Sequence, residues 1–245
     1  MTASTAPDSA PARCRRVGHS IIKTGGSLGD LERRLTGAGW DMVELDVLSL
    51  RGELVIAHDL ADLEHPQPIR FADALRALRE LLPREVEFDV DVKGVGYEPA
   101  VLETLRSLDL IDRTLISTME ESSLRVLRRS EPELRLGLSV PKAGRNYLAH
   151  PLTRPAAHVM LAYLRQVLPR RCSAALRAGL ADAIMAHWAV VTPALVTAVR
   201  AAGGELYAWT VDDPERLVTL ERLGVSGVIT NDRTLFERAG SPPPG

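Results

Sequence analysis

Two acidic residues, Glu44 and Asp46, alternate with apolar residues in a segment that is typical of a buried strand. Successive side chains of a strand point to opposite faces, so both carboxylates lie on one face and Val43, Leu45 and Val47 on the other. Two adjacent carboxylates repel each other unless positive charge lies between them. Because hard divalent cations prefer clustered oxygen ligands, the pair predicts a metal site. The alternative is the exposed face of an antiparallel strand.

A second acidic segment supplies candidates to complete such a site. Asp89, Asp91 and Lys93 share one face of another predicted strand by the same alternation. We predict Asp91 as the third metal ligand and Lys93 as a cation for a bound anion. The alternative is an ion pair between the two.

Two histidines and one tryptophan complete the set of candidate site residues. His19 ends the first predicted strand, and His58 follows the Glu44–Asp46 strand by a dozen residues. Imidazole titrates near neutral pH, so the two are predicted to be a general acid and base, although a lone histidine is more often structural. Asp59 either orients His58 or caps a turn. Trp209 is predicted to form the wall of a substrate pocket, or else to lie in the core.

Short Val-, Ile- and Leu-rich segments alternate with segments of helical periodicity along most of the chain. This alternation predicts a single-domain α/β protein, a TIM (β/α)8 barrel, rather than an open sheet, because no glycine-rich phosphate turn follows the first strand. The candidate residues lie at the predicted carboxyl ends of strands, where barrels carry their active sites. The predicted strands are 14–19, 42–48, 85–93, 114–118, 135–140, 183–187, 205–211 and 227–230. The predicted helices are 28–38, 71–82, 98–108, 120–129, 156–180, 192–202 and 214–223.

The length of 245 residues and the composition limit the domain organisation and the possible partners. We predict a disordered leader at 1–12, the barrel at 13–238 and a disordered tail at 239–245. A net charge of −2 gives no reason to expect nucleic-acid binding, and Cys14 and Cys172 fit no disulfide or metal pattern. The sequence has no apolar stretch long enough to span a bilayer, and we predict a cytoplasmic protein.

A basic stretch, residues 142–180, has no acidic residue. Its apolar residues interleave with seven basic ones: Lys142, Arg145, Arg154, Arg165, Arg170, Arg171 and Arg177. The simpler interpretation is a barrel helix with a solvated basic face. The alternative is a weak peripheral contact with anionic lipid or phosphate headgroups.

In order, these motifs resemble those of the glycerophosphodiester phosphodiesterase family, which has the TIM-barrel fold. The similarity runs from Gly18–His19 through Glu44–Leu45–Asp46, His58–Asp59 and Asp91–Val92–Lys93. It ends in two closing segments, 208–211 (Ala-Trp-Thr-Val) and 227–232 (Gly-Val-Ile-Thr-Asn-Asp).

The resemblance implies hydrolysis of a glycerophosphodiester to an alcohol and glycerol 3-phosphate. It implies Ca²⁺ or Mg²⁺ held by Glu44, Asp46 and Asp91, with His19 and His58 as the acid–base pair. Lys93 and the metal would neutralise charge on the phosphorane-like transition state. In that family a neighbouring hydroxyl of the substrate can attack first and form a cyclic phosphate.

The sequence departs from the family pattern at two positions. Ser20 stands where the family has arginine, whose guanidinium binds phosphate through two hydrogen bonds. Lys23 is the candidate substitute. Asp91 replaces a glutamate, a form similar to that of sphingomyelinase D-like phospholipases.

The two departures leave two other functions open. One is phospholipase D-like cleavage of lysophospholipids or sphingolipids. The other is a degenerate barrel that binds a phosphorylated ligand without catalysis, against which the retained histidines and acids argue.

Overall fold

The computed structural model describes residues 13–19, 27–37, 39–59, 68–142 and 154–240. These residues form a closed barrel of eight parallel strands and one added antiparallel strand. The strands are β1 (Arg15–His19), β2 (Met42–Leu50), β3 (Glu53–Ile56), β4 (Glu87–Val92), β5 (Thr114–Thr118), β6 (Arg135–Val140), β7 (Ala183–His187), β8 (Glu205–Trp209) and β9 (Gly227–Thr230). The barrel closes where β1 pairs with both β2 and β9.

Helices surround this barrel. They are α1 (Leu28–Leu35), α2 (Phe71–Leu81), α3 (Glu98–Ser107), α4 (Glu121–Ser130), α5 (Arg154–Arg177), α6 (Pro193–Ala201), α7 (Pro214–Leu223) and α8 (Leu235–Gly240). Thr192 and Asp213 each accept a backbone hydrogen bond at the start of a helix whose first residue is proline. Such local signals explain why the predicted starts of α6 and α7 lie within one residue of the observed ones.

Strand alternation divides the core into two parts. Outward-facing residues such as Val43, Leu45 and Val90 pack in the larger apolar cluster between the barrel and the helices. Inward-facing residues fill the barrel itself with a second, smaller cluster: Val17, Met42, Leu115, Ala183, Met185, Tyr207 and Ile229. The barrel is therefore packed through its middle, and polar side chains lie toward its two ends.

The TIM-barrel prediction is confirmed, and the predicted strands at 114–118, 135–140, 183–187 and 227–230 match in both bounds. Strand β3 was not predicted; it pairs with β2 through a two-residue turn at Arg51 and Gly52, whose φ angles are 52° and 87°. Such turns usually carry Asn-Gly, so Arg-Gly gave little signal. Helix α8 was also missed, and it includes residues 239 and 240 of the predicted tail. The predicted leader and residues 241–245 lie outside the described residues.

No helix within the described ranges is long and apolar enough to cross a membrane. The cytoplasmic location stays a prediction.

Charged residues close the amino-terminal end of the barrel, opposite the predicted site. The Glu87 carboxylate accepts hydrogen bonds from Arg15 Nη1 at 3.0 Å and from Arg135 Nη1 at 2.5 Å. Arg135 also pairs with Glu205, and the Tyr207 hydroxyl lies between Arg15 and Glu205. Burial raises the pKa of Glu87, but the two guanidinium groups outweigh it and leave the pKa below its usual value.

We expect Glu87→Gln to lower the free energy of unfolding by about 1–3 kcal/mol, because two half-buried arginines lose their shared anion. Urea denaturation measures this difference, with Glu80→Gln on the exposed face of α2 as the matched control. Since folding lowers the pKa of Glu87, the difference is complete above the ordinary carboxyl pKa. It should disappear as the pH falls through the lower folded-state value. Equal stability of both variants at neutral pH would contradict the prediction.

Candidate active site

The register of three adjacent strands brings the predicted acids together at the carboxyl end of the barrel. His19 on β1 lies beside Glu44 on β2, and Glu44 lies beside Asp89 on β4. One layer closer to the mouth, Asp46 lies beside Asp91. Since residues paired in parallel strands point to the same face, all five side chains point into the barrel. All five are buried.

Glycine at position 18 lets β1 pass close to an aromatic ring. A Cβ atom at Gly18 would lie 2.6 Å from Trp40 Cε2, far inside contact distance. Trp40 is buried in the outer apolar cluster, so Gly18 faces the helices and the next residue, His19, faces the barrel interior. The Gly-His sequence therefore places this imidazole.

His19 lies between two carboxylates. Its Nε2 atom is 2.9 Å from Asp46 Oδ2 and 3.7 Å from Glu44 Oε2. Burial opposes the charged imidazolium, but the negative charges of Glu44 and Asp46 outweigh it and raise the pKa of His19 to about 9. For Glu44 the effect of burial is the opposite, because burial disfavours its charged form. Burial and the charge of Asp46 raise the pKa of Glu44 to about 7.

Lys93 supplies positive charge to the carboxylates of Asp46 and Asp91. Its Nζ atom lies 2.8 Å from Asp46 Oδ1 and 2.5 Å from Asp91 Oδ2. Burial disfavours the ammonium, but Asp91 and Asp46 outweigh that penalty and hold the pKa of Lys93 well above its usual value. Burial alone would raise the pKa of Asp46. The positive charges of Lys93 and His19 outweigh burial and leave this pKa below its usual value. Asp46 is thus an anion between two cations.

The donor set fits a divalent cation. One atom each from His19, Glu44 and Asp46 can be chosen so that all lie within 4.8 Å of one another. Within the described residues, Glu44 Oε2 is buried and accepts no hydrogen bond, so it has coordinating capacity to spare. Asp91 does not belong to this group in the structure, where it contacts Lys93 instead. Its role as the third ligand stays a prediction, and the structure adds His19 as a candidate.

Asp89 is an acid to which the sequence assigned no role. It is fully buried, and neither of its oxygens has hydrogen-bond geometry with a described residue. Burial, with the charges of Glu44 and Asp91, raises its pKa well above the usual value, although the nearby Ser117 hydroxyl acts in the other direction. Period-two alternation placed Asp89 on the correct face, but only its depth in the barrel distinguishes it from Asp91.

His58 lies at the rim. Its side chain is 52% exposed, and its ring centroid is 6.4 Å from that of His19. His58 Nδ1 is 3.9 Å from Asp59 Oδ2, which is too long for a hydrogen bond. The structure thus brings both predicted histidines to one end of the barrel, one buried and one accessible. Lys23 and Ser20 lie outside the described residues, so the predicted phosphate contact of Lys23 stays a prediction.

Aromatic residues line the opposite side of the mouth. Trp209, partly buried at the end of β8, donates a hydrogen bond from Nε1 to the Met185 carbonyl at 3.0 Å. Its ring packs edge to face against the His187 ring, with 5.1 Å between the ring centroids. The centroids of the His187 and Trp188 rings are 5.3 Å apart. Arg216 stacks over Trp188 at 3.6 Å. Trp209 thus lies at the mouth, and its contact with substrate stays a prediction. Its neighbours His187 and Trp188, at the end of β7, were not predicted as site residues.

Comparisons with known proteins identify the family of the chain. The model of the glycerophosphoryl diester phosphodiesterase family matches residues 69–234. That range includes Asp91, Lys93 and Trp209 but begins after His19, Glu44, Asp46 and His58.

The chain is 33% identical over 92 residues to the glycerophosphodiester phosphodiesterase GDPD4 of Arabidopsis thaliana, covering 37% of this chain and 28% of the relative. It is 23% identical over 233 residues to a glycerophosphodiester phosphodiesterase of Caldanaerobacter subterraneus, covering 82% and 86%.

A solved structure shares the fold over nearly the whole chain. It is a phosphodiesterase of Oleispira antarctica in complex with the product sn-glycerol-3-phosphate, 19% identical, covering 93% of this chain and 97% of the other, with a TM-score of 0.64. With the family model matching most of the barrel, the chain belongs to the glycerophosphoryl diester phosphodiesterase family.

Proposed function

We propose that this protein hydrolyses glycerophosphodiesters to an alcohol and glycerol 3-phosphate with the aid of a divalent cation. The observation that carries the proposal is the buried group of His19, Glu44 and Asp46 beside Lys93 at the barrel mouth. Family membership supports the reaction class. The product bound to the Oleispira antarctica structure supports glycerol 3-phosphate as the product.

Glu44 and Asp46 would hold the cation, with Asp91 as the predicted third ligand and His19 within reach of the same position. Bound there, Ca²⁺ or Mg²⁺ would supply positive charge to the phosphate oxygens. The oxygen-rich donor set favours these hard cations over softer metals.

Lys93 keeps its proton, because two carboxylates lie within 2.8 Å of its Nζ atom. An ammonium so placed stabilises negative charge that develops on a phosphate at the mouth. Trp209 would contact the organic part of the substrate from the other side.

The two histidines would move the protons. One accepts a proton from the attacking hydroxyl as its oxygen bonds to phosphorus, and the other donates a proton to the alcohol oxygen as its bond to phosphorus breaks. The attacking hydroxyl belongs either to water or to the glycerol of the substrate. The second route forms a cyclic phosphate before water opens it.

A lysolipid substrate is the second candidate. The observation that favours it is a group of exposed apolar residues on α5, Val159, Met160 and Tyr163. They lie toward the mouth end of that helix, because α5 follows the carboxyl end of β6. A substrate that keeps one acyl chain would use such a surface, whereas a deacylated diester would not.

Product analysis separates these functions. We expect glycerophosphocholine to yield choline and glycerol 3-phosphate, EDTA to abolish the reaction, and excess Ca²⁺ or Mg²⁺ to restore it. Preference for lysophosphatidylcholine would favour the lysolipid function. Undiminished turnover in EDTA would refute the metal dependence, and no turnover of either substrate would favour a binding protein.

A further inference from the structure

One side of the barrel combines exposed apolar residues with arginines that have no ion-pair partner among the described residues. We define the α4–α5 face by Val159, Met160, Tyr163, Arg170 and Arg177 on α5 and by Arg129 on α4. The three apolar side chains are among the most exposed large hydrophobic residues of the described chain, at 72%, 56% and 59%. Such a surface costs free energy in water unless something covers it.

Helical geometry aligns these residues. At about 100° per residue, Val159 and Tyr163 project within about 40° of each other, and Arg170 and Arg177, which follow Pro169, project within about 20° of each other. The stripe spans about 27 Å at 1.5 Å per residue, with its apolar half first and its basic half second. Because α5 follows β6, whose carboxyl end is at the barrel mouth, the apolar half lies at the mouth end of the helix.

The charge of the α4–α5 face is positive. From Lys142 through Ala181 the sequence has no acidic residue. Two acids from the α4 side pair with basic residues of this region: Glu120 with Lys142 at 2.6 Å and Glu121 with Arg171 at 3.0 Å.

The side chains of Arg129, Arg170 and Arg177 make no ion pair or hydrogen bond with any residue in the described ranges. Their charge is therefore available to an anionic partner.

A groove between α4 and α5 adds a second feature. Its volume is about 510 Å³, and arginines form its rim: Arg125, Arg128, Arg129 and Arg171. Its other lining residues include Ala174, Ala175, Ala178 and one acid, Glu121. Glu121 pairs with Arg125 and Arg171, and Arg128 pairs with Asp182, so Arg129 is the rim arginine without a carboxylate partner among the described residues. Guanidinium groups over small apolar residues suit a ligand with a phosphate and a less polar body.

We propose that the α4–α5 face binds the surface of a bilayer that contains anionic phospholipid. The arginines would contact headgroup phosphates, and Val159, Met160 and Tyr163 would enter the boundary between headgroups and acyl chains. This arrangement would hold the barrel mouth next to the lipid surface. The proposal concerns binding to the bilayer and does not require that the enzyme cleave a lysolipid.

The test is co-sedimentation with vesicles of phosphatidylcholine alone and of phosphatidylcholine with phosphatidylglycerol. We expect binding only to the anionic vesicles and a steep loss of binding as salt is raised. Arg129→Glu, and separately the double variant Val159→Ser/Tyr163→Ser, should each weaken binding at least about fivefold. Arg222→Glu on α7 and Leu81→Ser on α2, both exposed positions elsewhere, are the matched controls and should bind like the wild type.

Three outcomes would overturn the proposal: no binding to anionic vesicles, equal binding to neutral vesicles, or equal binding by both sets of variants. Light scattering adds a fourth. A concentration-dependent dimer that Val159→Ser/Tyr163→Ser abolishes would assign the face to a second copy of the chain. Hydrolysis of soluble glycerophosphocholine should be unchanged in all these variants, so failure of this proposal is distinguishable from failure of the proposed activity.

Discussion

Asp46→Asn is expected to reduce kcat/KM for glycerophosphocholine at least about a thousandfold, or about 4 kcal/mol of transition-state stabilisation. Asp46 contacts both His19 and Lys93 and belongs to the only His, Cys, Asp and Glu group in the described residues that could hold a metal ion. Loss of its charge therefore affects cation binding, the orientation of His19 and the position of Lys93 together. Calorimetric titration with Ca²⁺ and Mg²⁺ should show a weaker affinity, by about tenfold or more.

The matched control is Asp73→Asn on α2, where the carboxylate pairs only with surface arginines. Asp73→Asn should keep full activity and cation affinity. Thermal unfolding should show that Asp46→Asn and Asp73→Asn are both folded. Asp91→Asn then tests the predicted third ligand. A loss of cation affinity would support that role, and unchanged affinity would leave Glu44 and Asp46 as the carboxylate ligands. Full activity of Asp46→Asn would contradict the proposed site.

His19→Ala and His58→Ala are each expected to reduce kcat by about 10² to 10⁴, the usual contribution of a positioned acid or base. The ring centroids are 6.4 Å apart, with His19 buried and His58 at the rim. Because the two groups act in one reaction, the double variant should lose less than the product of the single losses. His158→Gln, an exposed histidine of α5, is the matched control and should keep full activity.

A leaving group that needs no proton distinguishes catalysis from structure. With a p-nitrophenyl ester, the variant that lacks the general acid should recover most of its lost rate, because p-nitrophenolate departs unprotonated. The variant that lacks the base should not recover. Equal losses with both substrates in both variants would indicate that the histidines only support the fold, and wild-type rates in both would refute the acid–base assignment.

Much of the architecture follows from local periodicity. The alternation of apolar segments predicted the eight barrel strands, and Pro after Thr192 or Asp213 predicted two helix starts within one residue. Such signals depend on a few adjacent residues, whose backbone preferences are already present in the sequence. Strand β3 was missed because its tight turn uses arginine at a positive φ angle, which sequence statistics disfavour.

Other features depend on contacts between distant segments. Exposure of Val159 and Tyr163 could not be predicted from α5 alone, because a barrel helix normally buries its apolar residues against the strands. The aromatic neighbours of Trp209 likewise depend on the pairing of β7 with β8.

The sequence by itself determined that Glu44 and Asp46 share a face, because strand geometry allows no other arrangement of residues two apart. It also determined that His19 and Lys93 end their strands on the same side of a parallel barrel. Only the tertiary structure decided which charged side chains form ion pairs with one another. Closure of β1 onto β2 places His19 between Glu44 and Asp46, and the register of β2 with β4 places Lys93 between Asp46 and Asp91. Electrostatic interactions decay over a few ångströms, so these pairings depend on distances that the linear sequence does not contain.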